Sequence, residues 1–141
     1  RKTLIPSTFN IRIAETKPNS IYHELRRLNV NDFPNCAGVM FRVFLELSAD
    51  AYAKKHVSTR RESDSFSDKV KKVANFFESN GIMANDELLG IRQLASSSDE
   101  LFSVTTLNKY VHNYNFQPIT LDLKTQWDNI QLYLQKIWDT Y

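Results

Sequence analysis

The chain has 141 residues and a mass of 16.4 kDa, enough for one globular domain with a core. Its net charge of +2 does not by itself indicate a nucleic-acid partner. A single cysteine excludes an internal disulfide framework, and no apolar run is long enough to span a membrane. We predict no metal site and no cofactor, and a cytoplasmic location is the default.

The scarcity of turn-forming residues predicts a helical protein. Only 3 Gly and 4 Pro are present, which favours long helices over a β-sandwich with many tight turns. We expect an all-α bundle of five to six helices, with an extended arm or short strand where apolar and polar residues alternate at 9–13. Because the chain opens on Arg1, we interpret residues 1–18 as an arm or a linker from a missing upstream domain, and 19–141 as the helical domain.

Two helices are predicted in the first half of the chain. The first covers about 20–29 and is capped by Asn19 or Ser20. The second starts at Pro34, after a capping carboxylate at Asp32. Apolar residues surround most of the second helix, which is typical of a central, buried helix.

One line of this second helix is polar. Arg42, Glu46, Asp50 and Lys54 follow one another at intervals of four and therefore share a face. Arg42 and Glu46 are candidate catalytic residues. The alternative is an internal ion pair that fixes helix packing, and we expect Glu46→Ala to destabilise the fold. At the start of the helix, we expect Cys36 to be a small buried residue rather than a reactive thiol.

The second half of the chain contains a loop followed by further helices. Polar residues at 57–65 indicate the loop, and a helix follows at about 67–80 and stops at Gly81. The remaining predicted features are a helix capped by Asn85 or Asp86, a helical turn at 103–111, and a last helix capped by Thr120 that buries Trp127 and Trp138.

Basic residues cluster between the second and third helices. If they converge in space they form a phosphate-contacting patch for RNA or DNA, and otherwise they are a solvated face with a charged loop. The members of this basic set are Lys54, Lys55, Arg60, Arg61, Lys69, Lys71 and Lys72.

A polar and aromatic segment at 107–113 is the sharpest local motif. His112 in this segment is a candidate general base toward a ribose hydroxyl, with Asn108 as a positioning residue. The alternative is a histidine held in a hydrogen-bond network of the core.

The order of four motifs resembles the HEPN superfamily (higher eukaryotes and prokaryotes nucleotide-binding domains), in its bacterial abortive-infection-like branch. The motifs are an Arg-x-x-x-Glu element in the aliphatic run 39–47, a Lys-Val pattern ending in Gly-Ile at 66–82, a Leu-x-x-Ile-Arg element at 88–92, and the Asn-to-His element at 107–112. The resemblance covers about 20–141. It implies a helical fold and two copies that pair with their histidine-bearing loops together.

The chain departs from the ribonucleases of that superfamily at one position. Leu107 stands where their motif has an arginine, and leucine cannot offset the charge of a phosphoryl transition state. Arg42 or Arg92 would have to supply that charge from another helix. We therefore expect a non-catalytic interaction or dimerisation module of a larger bacterial protein, with a role in phage defence or stress response. The alternatives are a nucleic-acid-binding module that uses the basic set, and a metal-independent endoribonuclease with His112 as base.

Overall fold

The computed structural model describes residues 1–96 and 120–141, and within these ranges it is an all-α bundle. The helices are α1 (Thr16–Arg27), α2 (Pro34–His56), α3 (Phe66–Ser79), α4 (Leu89–Ser96) and α5 (Thr120–Asp139). A 3₁₀ turn, Asp86–Leu88, precedes α4. None of the described helices is long and apolar enough to cross a membrane.

The central position of α2 organises the bundle. This helix packs against α1, α3 and α5, and α4 closes the far side against α3 and α5. Pro34 occupies its first turn, where the absence of a proline N–H costs nothing. The predicted capping role of Asp32 is wrong, because Phe33 is the residue at the N-cap and no side chain caps the helix.

The start of α1 differs from the prediction. The helix begins at Thr16 rather than at residue 20, and neither Asn19 nor Ser20 caps it. Pro18 lies in its first turn, where the orphan N–H positions tolerate proline. Proline here is therefore compatible with the helix and does not mark a boundary before it.

The segment before α1 is an arm that joins the core without forming a strand. Leu4, Ile5 and Phe9 are buried. The sole backbone bridge found in the described ranges pairs Thr3 with Asn29. The arm is held in place by burial of its apolar side chains, which gives it the role of a core element in this bundle.

The ends of α3 follow from local sequence. Ser65 accepts a hydrogen bond from the backbone N–H of Asp68, and the Asp68 carboxylate accepts one from the backbone N–H of Ser65, which forms a capping box. Gly81 takes a φ of +68°, so the predicted stop is confirmed. The Ile82 N–H donates to the Phe77 carbonyl at 2.8 Å across this turn.

Aromatic side chains from three elements meet at the centre of the core. The Trp127 ring lies 5.3 Å from Phe9, 5.5 Å from Phe41 and 6.3 Å from Phe44. Trp138 is buried and its indole N–H donates to Ser48 Oγ at 3.2 Å. The prediction that both tryptophans belong to the core is confirmed.

Candidate interaction surface

Arg42, the first candidate catalytic cation, is a packing residue. Its side chain is 7% exposed, and its guanidinium carbon lies 3.7 Å from the centre of the Phe66 ring. Burial lowers the pKa of Arg42, and the charge and hydrogen bond of Glu46 oppose that shift. An arginine keeps its charge throughout the physiological range, so this cation is stabilised by an aromatic face and a carboxylate instead of facing a substrate.

Glu46 links α2 to α3 as well as pairing with Arg42. Its carboxylate lies 3.5 Å from the Arg42 guanidinium and 3.5 Å from Lys69 Nζ, and its side chain is 34% exposed. The predicted internal ion pair is therefore present. It sits at the edge of the core, where both ions keep partners.

Arg92, the second candidate cation, is also engaged in structural contacts. Its guanidinium donates to the Glu78 carboxylate at 2.7 Å, to Asn75 Oδ1 at 3.0 Å and to Asn85 Oδ1 at 2.9 Å. These bonds tie α4 to α3 and to the turn between them. Asn85 uses its side chain here and does not cap the following turn. Leu107, Asn108, His112 and the predicted turn at 103–111 lie outside the described residues.

Three members of the basic set are paired with acidic residues. Arg60 bonds Glu62 at 2.7 Å, and its Asp50 contact measures 3.2 Å. The pKa of Arg60 is raised, chiefly by the bond to Glu62. Lys69 reaches Asp50 at 3.8 Å in addition to its contact with Glu46.

Lys72 closes the loop at 57–65 onto α3. Its ammonium donates to both oxygens of Asp64, at 2.8 and 2.9 Å, and to the Thr59 carbonyl at 2.8 Å. The hydrogen bond from Lys72 lowers the pKa of Asp64. With three partners, this ammonium uses all its donors within the protein.

The other four members of the basic set are outside this network of ion pairs. Lys54, Arg61 and Lys71 are exposed and form no ion pair with the described residues. Lys55 places its ammonium 4.1 Å from the centre of the Tyr141 ring. The members of the basic set are thus close in sequence but differ in structure. Some pair with acidic residues and hold the loop in place, and others are exposed to solvent.

The outward side of α2 is the feature that sequence analysis missed. The side chains on this side are half-exposed and mostly apolar, and most of them pack against the core from outside. We call them the α2 outer face: Cys36, Val39, Met40, Val43, Leu47 and Ala51. Successive members are three or four residues apart, except the neighbours Val39 and Met40, so they form a continuous stripe along the helix.

Two surface grooves extend the α2 outer face toward α1. One, of about 550 Å³, is lined by Cys36 and Met40 on α2 and by the last turn of α1 with Leu28. The other, of about 360 Å³, is lined by Leu47 and Ala51 together with the start of α1 and Tyr141. The expectation that Cys36 is buried is wrong: the residue is exposed, in the first turn of α2 beside the groove that the end of α1 lines.

The signal for this surface is present in the sequence but is ambiguous. A helix that is apolar all round predicts burial on every side. Only the placement of α1, α3 and α5 around α2 shows which side these described helices leave partly exposed. Comparison of the chain with protein-family models, curated proteins and solved structures found no match. Within residues 1–96 and 120–141, no group of three or more His, Cys, Asp and Glu side chains is arranged to hold a metal ion.

Proposed function

We propose that this chain is a non-catalytic helical interaction module that self-associates through the α2 outer face. The observation that carries the proposal is the half-exposure of Val43, Leu47 and their apolar neighbours on an otherwise buried helix. A contiguous apolar surface of this kind is costly in water and is typical of a binding site. Membership of the HEPN superfamily, with pairing of two copies and a role in a larger bacterial defence or stress protein, remains part of this proposal.

The engagement of the candidate cations supports a non-catalytic role. Arg42 is covered by Phe66, and Arg92 bonds three side chains of its own fold. Neither is placed as an exposed cation for a scissile phosphate, and Leu107 offers no replacement. We therefore expect no RNA cleavage above the level of a His112→Ala control.

Light scattering over a concentration series tests the self-association. We expect a dimer that dissociates on dilution, and Val43→Lys should weaken it at least about tenfold, because a charge would be buried in an apolar contact. Leu89→Lys is the matched control, since Leu89 is an exposed apolar side chain on α4 and 53% exposed. A wild-type protein that stays monomeric at every concentration contradicts the proposal.

Nucleic-acid binding is the second candidate, favoured by the four basic residues that are outside the ion-pair network. A fluorescence titration of labelled RNA and DNA at several salt concentrations measures it. With Lys54, Lys55, Arg61 and Lys71 as contacts, the log–log salt slope is about −3 to −4. Absence of binding at low salt rules this candidate out.

A further inference from the structure

We infer that a cleft between the end of α2 and the second half of α3 binds a neutral sugar. The cleft has a volume of about 350 Å³, and the start of the loop at 57–65 forms part of its rim. A volume of this size lies within the range of small-molecule sites. The cleft shares no lining residue with the α2 outer face, so the inference goes beyond the proposed function and does not depend on it.

Two aromatic rings provide the apolar part of the cleft. The half-buried Phe76 ring lies 6.2 Å from the His56 ring, which lies 4.5 Å from the ring of Tyr52. His56 Nε2 is 2.9 Å from the Tyr141 carbonyl oxygen and donates to it, because a carbonyl can only accept. The fold therefore holds both rings in place. The negative face of an aromatic ring attracts the weakly positive C–H groups of a sugar.

Two amide side chains on α3 and just after it are oriented by the protein. Asn75 Oδ1 accepts a hydrogen bond from Arg92 at 3.0 Å, which leaves the Asn75 NH₂ group as a donor. Asn80 Nδ2 donates to the Phe76 carbonyl at 2.8 Å, which leaves Asn80 Oδ1 as an acceptor. Both residues line the cleft, so it offers a fixed donor and a fixed acceptor.

Three hydroxyl groups complete the polar part of the cleft. They belong to Ser58, Thr59 and Ser79, all of which are exposed. None of these hydroxyls forms a hydrogen bond within the part of the chain that the structure describes. A hydroxyl both donates and accepts, as does each hydroxyl of a sugar, so the two sets of groups can pair in either direction.

The charges of the cleft disfavour an ionic ligand. Among its described lining residues none carries a carboxylate, and the one ammonium, that of Lys72, already donates to Asp64 and Thr59. An anion would therefore find no uncommitted ammonium there, and a hard metal ion no carboxylate. Lys71 lies one helical turn before Asn75 but does not line the cleft. A neutral ring with several hydroxyls and a C–H face fits these groups best.

A titration followed by amide NMR of the isotope-labelled chain tests the inference. The probes are D-glucose, D-galactose, D-mannose and N-acetyl-D-glucosamine, each added separately, with inorganic phosphate as the anionic comparison. We expect at least one sugar to shift the amide signals of Ser58, Asn75 and Ser79. The expected Kd is about 1–10 mM, as for a ligand of about twelve non-hydrogen atoms in an open cleft.

Two variants locate the binding, each with a matched control. Phe76→Leu should weaken it about fivefold or more, because the variant keeps an apolar side chain but loses the flat ring. Phe33→Leu changes an exposed aromatic residue outside the cleft and should leave the Kd unchanged.

The second variant, Ser79→Ala, should weaken binding about threefold or more, with Ser63→Ala as its control on the exposed loop. The Ser79 hydroxyl has no partner among the described residues, so this variant remains informative if Phe76→Leu alters the packing against Tyr52.

Three results would overturn the inference. The first is the absence of a shift with all four sugars up to about 100 mM. The second is a shift of the cleft signals by phosphate but by none of the sugars, which would assign the cleft to an anion. The third is a sugar response that neither Phe76→Leu nor Ser79→Ala weakens, which would mean that the sugar contacts another part of the surface.

Discussion

The inner and outer faces of α2 are both largely apolar but have different surroundings. On the inner face, Phe41, Phe44 and Leu45 are fully buried against α1, α3 and α5. On the outer face, Val43 and Leu47 touch the core from one side only and meet solvent on the other. Apolar residues on one helix can thus serve two purposes: the inner set stabilises the fold, and we propose that the outer set contacts a partner. Substitutions on the two faces separate these purposes.

The largest expected effect is on the inner face. Phe44→Ala should lower the free energy of unfolding by about 3–5 kcal/mol, because it removes a fully buried ring that stacks with Trp127. Urea denaturation measures this loss. Met40→Ala on the outer face is the matched control and should cost clearly less, since water already reaches its side chain. Equal losses would mean that the outer face is as much a part of the core as the inner one.

The next effect lies at the border between the faces. Glu46→Ala should lower the free energy of unfolding by about 1–2 kcal/mol, because it leaves the buried Arg42 charge without its carboxylate. Thermal unfolding measures it, with Glu62→Ala as control, since Glu62 is 86% exposed. A melting temperature unaffected by Glu46→Ala would show that Phe66 and the remaining contacts of Arg42 suffice.

The same substitution, valine to threonine, at two positions distinguishes a partly exposed site from a buried one. Val43→Thr should change monomer stability by less than about 1 kcal/mol, when measured at a concentration below dimerisation. Val73→Thr on α3 introduces the same hydroxyl at a fully buried site and should cost about 1–3 kcal/mol. If both variants lose the same amount, Val43 is not a surface residue of the monomer.

The smallest expected effect is the acid response of the loop anchor. The pKa of Asp64 is lowered from 3.8 in the folded state, chiefly by the bond from Lys72. Its contribution to stability is therefore full above the unfolded pKa, and is lost as the pH falls through the lower folded pKa. Lys72→Met should flatten the decline in stability below about pH 4 without changing the α2 faces. An unchanged acid profile would show that other carboxylates govern it.

Much of the fold was predictable because a helix is specified by residues that are close to one another in sequence. The repeat of apolar residues predicted α2 and α5, and Gly81 predicted the end of α3. The start of α1 was predicted four residues too late, because Pro18 is compatible with both a boundary and a first turn. The roles of the basic set were less predictable. Its members are close in sequence whether they bind a ligand or the acidic residues of their own chain.

The sequence by itself determined which of the described segments are helical, where α3 ends, and that both tryptophans lie in the core. These features depend on residues within a turn or two of each other, or on burial of large apolar rings. Only the tertiary structure decided that Cys36 is exposed, that Arg42 packs on Phe66, and that Lys72 binds Asp64. It also decided which side of α2 the other helices described by the structure leave partly exposed. The physical reason is that helical periodicity defines the faces of a helix, whereas the neighbours that cover each face come from distant parts of the chain.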